Sequence, residues 1–66
     1  MNALIEMTTL FFNRPAPGAT PEAVAAWYRA KAELHARLAA AGGPDAEQEQ
    51  AYAAASYARA RKLTAA

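Results

Sequence analysis

The stretch Ala39-Ala40-Ala41-Gly42-Gly43-Pro44-Asp45-Ala46-Glu47-Gln48 decides the fold. Alanine is the best helix former, so its run favours helix as far as residue 41. Two glycines and a proline then stop it, because glycine adopts the left-handed conformation that ends a helix and proline cannot continue the ladder. Asp45 starts another: it is a preferred N-cap, Gln48 stands three residues on as a capping-box partner, and Glu47 and Glu49 put negative charge at the positive end of the dipole. So short a turn folds the chain back on itself.

Toward the N-terminus, the first helix has an equally clear start. Thr20 is a good N-cap, Pro21 sits at the first helical position where its missing N–H costs nothing, and Glu22 suits the dipole. Toward the C-terminus, Arg59, Arg61 and Lys62 occupy the last turns of the second helix. The expected class is all-α, an antiparallel hairpin of helices over about 20–41 and 45–63, each about 30 Å long at the α-helical rise. Folding back brings Arg59, Arg61 and Lys62 toward Glu22, and Arg37 toward Asp45, Glu47 and Glu49. Exposed pairs of this kind contribute about 0–1 kcal/mol each and support the register without holding the fold.

The faces of the two helices differ. On the first, Trp27, Ala30, Leu34, Leu38 and Ala41 recur at three- and four-residue steps, with Val24, Tyr28, His35 and Ala39 beside them. That apolar front is wider than one partner helix covers. The second helix has only Tyr52, Tyr57 and Leu63 as large apolar or aromatic residues. Alanine recurs at seven-residue spacing as Ala25, Ala32, Ala39, as Ala46, Ala53, Ala60 and as Ala51, Ala58, Ala65, which allows a close helix–helix approach. With 21 alanines in 66 residues, some of this periodicity also arises by chance.

Before the hairpin come two further segments of what reads as a single small domain. Arg14-Pro15-Ala16-Pro17-Gly18-Ala19 is a short, stiff linker (14–19), since proline fixes φ and pushes its predecessor to extended backbone. Residues 1–13 are apolar and hold Met1, Leu4, Ile5, Met7, Leu10, Phe11 and Phe12, seven of the fifteen large hydrophobic or aromatic residues in the chain. Asn2 can cap a helix that puts Leu4, Met7 and Phe11 on one face with Ile5 and Phe12 beside them. Met7 to Phe12 is also rich in strand formers, so a strand stays open as the second reading. In either form the segment is expected to pack on the hairpin or on a second copy.

That expectation rests on how little core the chain holds. A domain of this length buries only about 60% of its unfolded surface. Cysteine is absent, and no cluster of metal ligands is evident, so the two usual staples of small domains are missing. Self-association or a protein partner is the remaining one. The formal charge of +1 gives no bulk case for nucleic acid or an anionic membrane. The first twelve residues lack the charged entry and unbroken apolar run of a signal peptide, and no stretch approaches the length of a membrane span. A cytoplasmic protein is the default expectation, and absent cysteine agrees with it.

Candidate chemistry is sparse. His35 is the only histidine, and with Glu33 too close in sequence to share its face it reads as a packing or rim residue. Ser56 has no histidine at helical spacing, and Glu47 and Glu49 point to different faces. Gly42-Gly43 follows no strand and so is no phosphate loop. No catalytic, metal-ligating or cofactor-binding residue is assigned, and an enzyme is not expected.

Two functional readings follow. The first is a non-enzymatic protein–protein interaction module, a homo-oligomeric helical adaptor or regulator. Its candidate interface is Leu4, Ile5, Met7, Leu10, Phe11, Phe12, Trp27, Tyr28, Leu34 and Leu38. The second is a dimeric DNA-binding regulator using Arg14, Arg59, Arg61 and Lys62, with Tyr52 and Tyr57 nearby. A strand over residues 7–12 followed by two helices resembles the element order of ribbon-helix-helix proteins, which implies strands paired across a dimer in the major groove. The resemblance covers element order only. Thr8 and Thr9 stand where base-reading basic or amide side chains would be needed, and the first hairpin helix is long for that fold. Membrane attachment through Leu4 to Phe12 is disfavoured by Glu6 and by the lack of flanking cations.

Overall fold

The computed structural model describes residues 3–65. It is all-helical, with α1 over Ala3–Phe12, α2 over Pro21–Ala40 and α3 over Ala46–Thr64, and no strand among the described residues. Residues 3–12 therefore take the helical one of the two readings. Asn2, the expected cap of α1, lies outside the described residues, as does Met1. The strand that a ribbon-helix-helix order of elements requires is absent, because its residues are α1.

Local chemistry explains most of the boundaries. Thr20 is extended, and its hydroxyl accepts from the Ala23 N–H at 3.1 Å while Pro21 opens α2. At the other end Gly42 and Gly43 take φ of 83° and 94°, a region that an L side chain enters only with strain. The start of α3 departs from expectation. Asp45 makes no side-chain cap bond, and Gln48 instead donates to the Tyr52 hydroxyl at 2.6 Å. With φ −100° and ψ 6°, Asp45 lacks the extended backbone of a usual N-cap, and the capping box does not close.

α2 and α3 pack closely as a helical hairpin. Tyr28 meets Arg59, and His35 meets Tyr52. Each pair is equidistant from the Gly43-Pro44 turn. The seam between the helices is built of small residues: Ala25 and Ala32 on α2, with Ala53, Ser56 and Ala60 on α3, are all buried. Two of the three alanine heptads thus line the seam, while Ala51, Ala58 and Ala65 face solvent. Leu34 is the only large aliphatic side chain buried among the described residues, at 3% exposure.

α1 lies against α2 and does not reach α3. The indole N–H of Trp27 donates to the carbonyl of Leu10 at 2.8 Å. That carbonyl belongs to the last turn of α1, where oxygens lack intrahelical partners. Arg37 donates to Glu6 at 2.7 Å, so it joins α2 to α1 and not to the acidic start of α3 as its charge suggested. Arg37 lies on the flank of α2 that carries Trp27 and Leu34, and α1 occupies that flank. The wide apolar front of α2 accordingly has two neighbours.

Candidate functional site

α1 is seated with its apolar stripe outward. Advancing 100° per residue, Leu4, Met7, Phe11, Ile5 and Phe12 fall within one arc, and Glu6 and Leu10 lie on the opposite side. The half-buried members of that second group face α2. Ile5 and Phe11 are 62% exposed and Phe12 is 80% exposed. Thr8, in the middle of the outward arc, spends its hydroxyl on the Leu4 carbonyl at 2.9 Å. The only charged side chain of α1, Glu6, is held by Arg37. The outward face therefore offers carbon surface and almost nothing polar.

The candidate interface residues separate into three groups. Leu4, Ile5, Met7, Phe11 and Phe12 form the outward stripe. Leu10, Trp27 and Leu34 line the groove between α1 and α2, about 730 Å³ in volume, and Ile5 lines it too. Tyr28 and Leu38 are half-buried on α2. Tyr28 stacks edge-on against Trp27 with ring centres 5.1 Å apart.

The basic residues also divide. Arg14, from the linker, lies 4.9 Å from the centre of the Phe11 ring and 5.8 Å from that of Trp27. Lys31 reaches both Trp27 and Tyr28, and Arg59 of α3 lies 5.8 Å from the Tyr28 ring. The linker thus brings Arg14, and the hairpin Arg59, to one aromatic pair, and α2 itself adds Lys31, which was not among the expected basic residues. Arg61 and Lys62 are exposed and lie over no ring.

His35 is buried in the seam, with Nδ1 paired to a Glu49 carboxylate oxygen. The Tyr52 ring stands 5.3 Å away, centre to centre. The packing role expected for His35 is thus joined by a cross-helix partner, Glu49, expected only to complement the helix dipole. The available signal was distance from the turn, since His35 and Glu49 are equidistant from Gly42. Ser56 is buried close by and forms part of the tight helix contact. Among the described residues no three His, Cys, Asp or Glu side chains gather as metal ligands, and no helix is long and apolar enough to cross a membrane.

No protein-family model matches the chain, and no curated protein or solved structure matches it at a significant level.

Proposed function

We propose that this chain is a non-enzymatic interaction module that self-associates through α1, an adaptor or regulator whose antiparallel hairpin serves as the platform for that helix. The observation that carries the reading is the outward apolar stripe of α1. Ile5, Met7, Phe11 and Phe12 alone leave roughly 500 Å² of apolar surface in solvent, at about 200 Å² per large side chain. That approaches the upper end of the about 300–600 Å² of the largest patch on a typical monomer. Together with the groove beside it, the face comes within reach of the roughly 800 Å² that each partner of a stable complex buries.

A second copy is the occupant that fits. No side chain of the stripe is itself charged, and the Arg14 guanidinium beside it lies over the Phe11 ring, so two copies can meet across carbon surface. A homodimer also supplies what one copy lacks, since no large side chain among the described residues is fully buried.

Sedimentation velocity at micromolar concentration tests the proposal. The native chain is expected to run as a dimer, and the double variant Phe11→Glu, Phe12→Glu as a helical monomer. A native chain that is folded and monomeric throughout that range refutes it.

A further inference from the structure

We propose that Arg14, Lys31 and Arg59, gathered around Trp27 and Tyr28, form a docking site for an acidic peptide segment of another protein. Rings and cations alternate from the linker across the hairpin: Phe11, Arg14, Trp27, Lys31, Tyr28, Arg59. The three cations come from three different parts of the chain, and only the fold assembles them. None is neutralised by a carboxylate; the ion pairs among the described residues are His35 with Glu49 and Arg37 with Glu6. A ring face attracts a cation but leaves its outward N–H donors available, and guanidinium donors match carboxylates in a fork geometry.

The shape beside them suits a peptide. Arg14 and Lys31 line an open groove of about 450 Å³ together with the apolar side chains of Pro15, Pro17, Val24 and Trp27. A segment with acidic and apolar side chains in alternation can place carboxylates on the cations and apolar groups against those side chains. Single-stranded nucleic acid fits less well, because base stacking needs an open ring face. Trp27 and Tyr28 are half-buried, meet edge-on and carry cations over their rings, which leaves Phe11 as the exposed ring of the site, and a single ring stacks one base at most. The site lies on the linker and hairpin, apart from the outward stripe of α1 except for the shared Phe11 ring, and does not depend on self-association.

The test titrates the full chain into a fluorescein-labelled peptide of alternating glutamate and leucine, read by anisotropy at low salt. Saturable binding is expected, weakened about tenfold by Arg14→Ala with Arg59→Ala, the scale of losing two exposed ion pairs. Arg61→Ala with Lys62→Ala removes the same charge away from the rings and is expected to change affinity by less than about twofold. Equal losses in the two pairs mean bulk charge and overturn the site. Absence of peptide binding overturns it too, as does tighter binding of a deoxythymidine oligomer of equal charge or of phosphatidylglycerol vesicles. Should the alanine pair lose helicity by circular dichroism, Arg59→Glu at an exposed position reads the same site. Loss of peptide binding supports it and unchanged binding refutes it.

Discussion

His35 owes its buried position to a partner fourteen positions away, Glu49. A polar ring in an alanine seam is tolerated because its nitrogen is satisfied, and removing the acceptor exposes the cost. Glu49→Leu is expected to destabilise the chain by roughly 1–3 kcal/mol, the penalty for leaving a buried donor unpaired. A fall in the urea midpoint at unchanged slope would register it, and a midpoint that stays put would mean the pair contributes nothing. The two helix starts give a second comparison. Thr20→Ala should cost about 0.5–2 kcal/mol because its hydroxyl caps Ala23. Asp45→Ala should cost only a few tenths, since no cap bond is lost there and only a dipole interaction remains. Thermal melts that rank the two in reverse order would contradict the geometry. Thr20 was readable from sequence because capping is local. The Asp45 cap and the His35 partner were not, because both depend on how the turn sets the backbone and on which helix faces meet.

Between elements, the seam of α2 and α3 depends on residues being small. Ala25 and Ala32 have no exposed surface, and Ala60 has 1%. Ala32→Leu is expected to cost about 1–3 kcal/mol by overpacking, whereas Ala51→Leu, on the heptad that faces solvent, should stay within about 0.5 kcal/mol. Urea unfolding of the two variants separates them; equal effects would mean that the seam is not close-packed. The hairpin was legible because its start and stop signals and its heptads all agree. Which of the two α3 heptads turns inward was not, since both are alanine and periodicity alone gives no preference. The orientation of α1 was the least legible feature. Its stripe was visible as a stripe, but an apolar face is ordinarily assigned to the core of its own chain. Here Trp27 and Arg37 hold the opposite side through the Leu10 carbonyl and Glu6, two polar contacts that no hydrophobic pattern reveals.

For the molecule as a whole, the thin core and the outward stripe are two sides of one arrangement. Alanine supplies helicity and close approach but little apolar area, and nearly half of the large side chains lie before the proline linker. In one copy those among the described residues, from Leu4 to Phe12, lie beside the hairpin with all but the half-buried Leu10 exposed. A second copy that covers them would bind the folded state and not the unfolded one, so stability would depend on protein concentration. The direct measurement is the thermal unfolding midpoint of the native chain by circular dichroism over a hundredfold range of concentration. Self-association through α1 requires the midpoint to rise with concentration, and Phe11→Glu with Phe12→Glu to abolish the rise. A midpoint independent of concentration in the native chain would contradict it.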